Sequence, residues 1–546
     1  MKTAYLFYFI LFFLPGLFAQ HDPGNDSPLS IGKSYRIHPS TVTQSEALIV
    51  KSPVDQNTMF VSCITILFVP FFISEGVYVT TDGGSSWKGS DTCTGNPIGF
   101  HGGDPGIAID KNGTFILTHK GRTPFVGLYS HYSNNNGQTW SSQQAISTDD
   151  LERAALAPDV NPVSSWYGRT YAGWTLLTQP FPMEFSFTDN GGLTWSAPLQ
   201  INNPVNRSAG GDMAVGPDGK VYACWAGVTA TSPFKEIQVG FASSFNGGAS
   251  WNVTENAFPV NGITGLLPDK NNIRVNGLPS IAVDTNNGPR KGWIYIVTGQ
   301  KDLAPAGSDP DIIMYRSTDG GATWSAGIRV NQDALNNHKT QYFPNIHIDK
   351  FGAIDVIFYD DRNTTLDSSG IFLARSVDGG NTWREYEISD HHFKPAPIGG
   401  LGQGYQGDII DLTFTDTRIW PVWMDNFTGI YQLWTVPIDY SDVNGIEENG
   451  YPGSPDALEQ NYPNPFHART TIGYRVSAQG YVSLKILDVL GNEIAELVKE
   501  LKSPGYYEVE FDPARFENNI HFSSRIYFYR LTLHDRVETR RMIYLK

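Results

Sequence analysis

One short pattern occurs six times and constrains this chain more than any other feature. It reads Ser/Thr-x-Asp/Asn-x-Gly-x-Ser/Thr-Trp and ends at Trp87, Trp140, Trp195, Trp251, Trp324 and Trp383. Its physics is local. The Asp or Asn side chain accepts hydrogen bonds from its own turn backbone, and glycine takes a positive φ that other residues resist. The tryptophan can then bury about 200 Å² against a neighbouring sheet. Six copies of a turn with an aromatic clasp predict a repeat architecture built from sheets.

A second motif recurs upstream of the turns: an apolar strand, a turn and another apolar strand. Examples are "DPGIAIDKNGTFILTH", "DMAVGPDGKVYACW" and "FPNIHIDKFGAIDVIFY". Seven such units start near Glu46, Asp104, Asp159, Asp212, Leu278, Phe343 and Asp408, at intervals of 53 to 66 residues. That spacing fits one four-stranded propeller blade per unit. The seventh unit lacks a clear fourth strand, and "KSYRIHPS" (Lys33–Ser40) is a candidate to pair there and cover the free edge. Abundant glycine (55 residues), 13% aromatics and only 17% charged residues suit many short strands and turns. The fold class expected is all-β, a seven-bladed propeller followed by a small β-sandwich.

The turn pattern resembles the Asp-box, or bacterial neuraminidase (BNR) repeat, of sialidase-like propellers. Asp82, Asp319 and Asp378 carry the acid, and Asn135, Asn190 and Asn246 hold its place in the other copies. Sialidases have six blades, so six is the alternative count that the resemblance implies.

The net charge is −16, and the stretch from Ala457 onward is close to neutral, so the acidity lies in the first part of the chain. That argues against nucleic acid or an anionic membrane as partner. Residues 1–19, Lys2 followed by "AYLFYFILFFLPGLFA", read as a signal peptide. The other apolar run, Cys63–Ile73, contains Pro70 and is too short to span a bilayer, so no membrane span is expected in the mature chain. Three cysteines cannot make a disulfide framework; Cys63–Cys93 is the nearer pair, and the sequence leaves its state open.

The propeller is expected over 33–440 and a Gly/Pro/Asn-rich linker over 441–458. Residues 459–546 resemble the C-terminal sorting domain of type IX secretion cargo. The blocks that carry the resemblance are Gln460–Phe466, Leu487–Gly491, Gly505–Tyr507, Ile526–Leu531 and Arg540–Met542. The resemblance implies an Ig-like sandwich, the type IX secretion machinery as a partner, and a secreted or cell-surface location. A sugar-binding sandwich is the plainer alternative.

In a blade, the start of the first strand and the end of the second lie on the face opposite the box turns. The starts carry Glu46, Asp104, Asp159, Asp212 and Asp408. The second-strand ends add His119, Arg122, Trp174, Trp225, Tyr359, Asp360, Asp361, Arg362, Trp423 and Asp425. Aromatic platforms beside carboxylates suit a sugar, so an extracellular glycan or glycoprotein is the partner expected. Acids at these places can equally cap strand-start amides. Clustered carboxylates match the hard-oxygen preference of Ca2+, the one cofactor the pattern raises, although no D-x-D-x-D-G loop is present and no metal ligand set is assigned.

Glycoside hydrolysis usually needs two carboxyl groups at a defined separation. The catalytic candidates are Asp104, Asp212, Asp408, Asp360 and Arg362. What the sialidase resemblance implies beyond that is an arginine triad, an Asp acid/base and a Tyr–Glu pair. The triad is not evident: Arg316 and Arg375 abut box turns, and Arg36 lies a strand too early. The functional expectations are therefore a glycan-binding propeller or, as the alternative, a sialidase-like exo-glycosidase. On this reading Asp104→Asn and Asp212→Asn leave folding intact and abolish ligand binding.

Overall fold

The computed structural model describes residues 31–93, 101–443, 457–476, 479–502, 505–516, 522–533 and 536–546. The expected signal peptide, and most of the expected linker, lie outside them. The chain divides into two compact units, one up to Val443 and one from Asn444.

The first unit is an all-β arrangement of four-stranded antiparallel sheets, consistent with a propeller. The sheets begin with strands Thr43–Lys51, His101–Ile109, Ala155–Pro158, Arg207–Val215, Ser280–Val283 and Gln341–Ile348. A further sheet starts at Asp411–Phe414, continues through Arg418–Asp425 and Gln432–Thr435, and takes Tyr35–Arg36 at its edge. There Tyr35 pairs with Thr435 and Arg36 with Trp434, so the segment proposed to cover the free edge does so. Consecutive first strands pack against one another along the chain, and Thr43–Lys51 also packs against Asp411–Phe414. The sheet faces interlock through apolar clusters such as Tyr222, Phe241, Ile281 and Ile296 from adjacent sheets.

All six box turns share one geometry. In the Asp319 copy, the carboxylate accepts the Thr323 amide at 2.9 Å and the Thr323 hydroxyl at 2.5 Å. Ser317 Oγ donates to Asp319 at 2.8 Å and accepts the Gly321 amide at 2.8 Å. In the Asn135 copy the Thr139 amide still donates to the side-chain oxygen at 3.0 Å, but Nδ2 now donates to the Thr139 hydroxyl at 2.9 Å. The amide reverses one hydrogen bond and keeps the turn. The tryptophans dock on the preceding sheet: Trp140 on Phe60, Trp251 on Phe185 and Trp324 on Phe241, with ring centroids 5.0–5.5 Å apart. Trp87 of the first sheet meets Trp420 of the last at 6.3 Å. Trp140 is buried and the other five are half-buried, so these clasps cover the rim of the core rather than its centre.

The second unit holds two sheets, one of Ala457–Leu458, Thr470–Val476 and Gly505–Phe511, the other of Gly480–Leu487, Glu493–Lys502, Arg525–Leu533 and Arg536–Tyr544. Residues of both, among them Ile472, Tyr474, Leu484, Tyr527 and Leu531, share one hydrophobic cluster. The motif residues are structural here. The Asn461 amide donates to Tyr529 Oη at 2.8 Å, Phe466 is buried, and the Asp488–Asn492 turn places Gly491 at φ 84°.

Among the described residues, no helix is long and apolar enough to cross a membrane. No disulfide joins Cys63, Cys93 or Cys224.

Candidate functional site

First strands of four sheets carry a β-bulge at corresponding points. Pairing slips between Ser45 and Leu48, Gly103 and Gly106, Ala209 and Gly211, and Tyr342 and Asn345. The residue inside each slip is left-handed: Glu46 at φ 60°, Asp104 at 58°, Gly210 at 54° and Phe343 at 53°. Only glycine takes that conformation without penalty; for the others it costs on the order of 1 kcal/mol or more, which surrounding structure must hold in place. Bulges re-aim side chains next to sites. Here they turn Glu46 and Asp104 into a cavity of about 550 Å³ walled by residues from the seven large sheets described in the first unit.

Four of the five strand-start acids line that cavity: Glu46, Asp104, Asp212 and Asp408. Asp159 does not. The third first strand is Ala155–Pro158, so Asp159 follows it and sits at the opposite end. Its carboxylate accepts the Ser164 hydroxyl at 2.5 Å and the Asn161 amide at 3.2 Å, closing the turn to the second strand. Asp110, Asp284 and Asp349 do the same work in other sheets. The short Ala-Leu-Ala-Pro strand hid this register from the pattern of apolar runs.

The expected aromatic platforms are also elsewhere. Trp174, Trp225, Tyr359 and Trp423 are fully buried, because the second strand is sandwiched between neighbouring sheets, and none lines the cavity. Trp423 Nε1 donates to Asp425 at 2.8 Å, and Asp425 also meets His391 Nε2 at 3.1 Å. Asp360 and Arg362 pair with each other at 2.6 Å, and Arg362 also binds Glu385 at 2.6 Å. Burial raises the Asp360 pKa to about 6 against the pull of Arg362. Both belong to a network outside the cavity wall.

Several cavity residues carry no repeat signature and were not legible as site residues: Arg153, Arg207, Arg274 and Tyr405. Arg274 comes from an inserted hairpin, Gly265–Leu267 with Ile273–Val275, and Tyr405 from the glycine-rich loop before the last sheet. The run "GGLGQGYQGD" is the signal that could have found Tyr405, whereas the unit spacing does not single out the hairpin that carries Arg274.

Most of the cavity's charge is committed. Asp212 accepts the amides of Met213 at 2.9 Å and of Ile281, on the next sheet, at 3.0 Å, with Ser280 Oγ at 3.1 Å. Asp411 repeats this across the first and last sheets, accepting the Ile49 amide at 3.0 Å. Asp408 takes Asn276 at 2.6 Å and Arg274 at 3.6 Å. Arg207 lies 3.8 Å from Glu152 and stacks on Phe181 and Phe234. Glu46 accepts the Tyr405 hydroxyl at 2.7 Å. Among the described residues, the side chains of Asp104 and Arg153 form neither hydrogen bond nor ion pair.

Electrostatics single out the same groups. Burial, then the charges of Glu152 and Asp408, raise the Asp104 pKa to about 7, with Lys120 and Arg153 opposing. Burial, then Asp408 and Asp104, hold the Glu46 carboxyl well above the ordinary range, with Tyr405 and Arg153 opposing. Asp212 is raised by burial, offset by Arg153 and its backbone donors. The cavity therefore offers a carboxyl group that exchanges its proton near neutrality, a second carboxyl group hydrogen-bonded to a phenol, and one uncommitted guanidinium.

Residues 315–326 match the BNR/Asp-box repeat. No curated protein matches the chain. Among solved structures, the chain is similar to an ulvan lyase of polysaccharide lyase family PL25 bound to -[GlcA(1-4)Rha3S]-, at 10% identity and TM-score 0.47, over 74% of this chain and 96% of that one. It is similar to the Hadza microbial sialidase Hz136 at 14% identity and TM-score 0.36, over 62% and 65%. It is similar to the α-L-arabinofuranosidase Arb93A from Fusarium graminearum at 13% identity and TM-score 0.37, over 62% and 93%. At such identities and scores, these likenesses say nothing about the chemistry of the cavity.

Proposed function

We propose that this chain is an exported, seven-bladed Asp-box propeller that binds a glycan in the acid-lined cavity. Seven large sheets whose first strands pack in chain order, the last against the first, support the blade count. The leader at 1–19 and the motif blocks of 459–546 support export by a type IX route, with the C-terminal unit as a sandwich that carries the sorting signal. The cavity has the volume of a small-ligand site. It mixes acids and a guanidinium with Tyr405 and Phe343, groups that bond hydroxyls and cover ring faces.

The single observation that carries this reading is the pair Asp104 and Arg153. Both line the cavity, and among the described residues neither side chain forms a hydrogen bond or ion pair. The test is a glycan-array screen of the protein, with and without Ca2+, beside the Asp104→Asn and Arg153→Met variants. Retention of parental binding by both variants would sink the site.

A second reading, sialidase-like exo-glycosidase action, is favoured by one specific arrangement: the Tyr405–Glu46 hydrogen bond beside an Asp104 carboxyl poised to donate a proton. A chromogenic-glycoside screen separates the two, since only the second yields turnover that Asp104→Asn removes.

A further inference from the structure

Between the first and second sheets, away from the cavity, three buried side chains converge. Glu75 lies on Phe71–Thr80, His101 on His101–Ile109 and His119 on Phe115–Gly121. One ligand atom from each lies within 4.8 Å of the others. Glu75 and His119 are fully buried and His101 nearly so.

The hydrogen bonding leaves two polar atoms of this group without partners. His119 Nδ1 donates to the Lys120 carbonyl at 3.0 Å, which fixes the tautomer and leaves Nε2 with its lone pair and no partner among the described residues. Glu75 Oε2 meets His101 Nδ1, and Glu75 Oε1 is buried without a partner. The His101 and His119 rings stack with centroids 4.1 Å apart and planes at 8°. An unpartnered imidazole nitrogen and an unpartnered carboxylate oxygen buried together are unfavourable unless something binds them.

We infer that Glu75, His101 and His119 form a site for one transition-metal dication, with Zn2+ the ion the donors suit best. Two imidazoles and one carboxylate are a zinc-type donor set, whereas Ca2+ takes oxygen ligands. The Lys120 carbonyl orients His119 as an outer partner does in zinc sites. Zinc–ligand bonds of about 2.0–2.2 Å put tetrahedral ligand atoms about 3.4 Å apart, so binding opens the Glu75–His101 contact and draws His119 in. Because the ligands come from two sheets, the ion would clip the first to the second. This site is independent of the glycan reading.

The test is zinc binding by the full chain after chelation and dialysis, read by metal analysis and calorimetric titration, with thermal melting in parallel. The expected result is one equivalent of zinc, a higher melting temperature with zinc, and affinity lower by about 100-fold or more in both Glu75→Gln and His119→Gln. Failure of the parent to take up zinc overturns the inference whatever the variants do. Uptake at unchanged affinity by both variants, each shown folded by its circular dichroism, also overturns it, since the ion would then sit elsewhere.

Discussion

The hydroxyl of Tyr405 donates to the carboxylate of Glu46 across 2.7 Å, joining residues 359 positions apart in the chain. Glu46 sits inside a bulge of the first sheet, and Tyr405 in the loop that leads into the last. The bond therefore ties the two ends of the repeat array at the cavity wall. Tyr405→Phe removes one donor and leaves the ring. The expected outcome is a folded protein whose ligand affinity falls about tenfold, because Glu46 loses the donor that holds its carboxyl group in place, measured by titration against whichever glycan the array identifies.

Asp104 predicts a pH dependence of stability. Its folded pKa, about 7, lies above the ordinary 3.8. The sign follows: protonation favours the folded state, so the contribution is complete below about pH 4 and is lost as pH rises through 7. Asp104→Asn should therefore match the parent near pH 4 and exceed it by about 1–2 kcal/mol at pH 8, water in the open cavity screening part of the effect. Urea denaturation at the two pH values checks this, and a constant difference would refute it.

Asp212 behaves differently from Asp104, against the expectation that both are neutral to folding. Its oxygens hold two buried amides, one from the next sheet. Asp212→Ala is expected to cost about 1–3 kcal/mol by leaving those amides unpaired. Denaturation midpoints of the two variants, compared at pH 6, distinguish a strap between sheets from a group held for a ligand.

His347 Nε2 donates to the Asp411 carboxylate at 2.8 Å. Burial lowers its pKa, but the Asp411 charge outweighs that and raises it above 6.5. Stability from this pair is complete below pH 6.5 and is lost as pH climbs through the raised value. His347→Gln should be less stable than the parent at pH 6, with the gap narrowing by pH 9. Melting temperatures across that range give the readout, and a gap that widens with pH would contradict it.

Trp324 is half-buried, packed on Phe241 and Phe258. Trp324→Ala should cost about 2–3 kcal/mol, less than the 3–5 of a fully enclosed aromatic. An unchanged melting temperature would remove the clasp from the account of stability.

The box turns, the sheet-by-sheet spacing and the pairing of Tyr35–Arg36 with the last sheet were legible because each is governed by local rules of period and turn chemistry. The site was legible only in part. Glu46, Asp104, Asp212 and Asp408 could be found because they sit at a repeated strand position. Asp159 misled because a four-residue strand precedes it, and alternation is weak over so few residues. The buried Trp174, Trp225 and Trp423 misled because a strand end that is near the right face in sequence lies in the middle of its sheet in space. Arg153 and Tyr405 lie on connections outside the repeat, where only tertiary structure says which way a side chain turns.

The outermost strand of the last sheet is supplied by Tyr35 and Arg36, whose partners are Thr435 and Trp434. A growing polypeptide therefore carries its fastening piece at the front and meets the matching slot only after almost the whole unit has been made. Any product cut short before Gln432 keeps an unmatched strand at one end and a raw sheet margin at the other. The arrangement makes the completed last sheet a check on the completeness of its own chain.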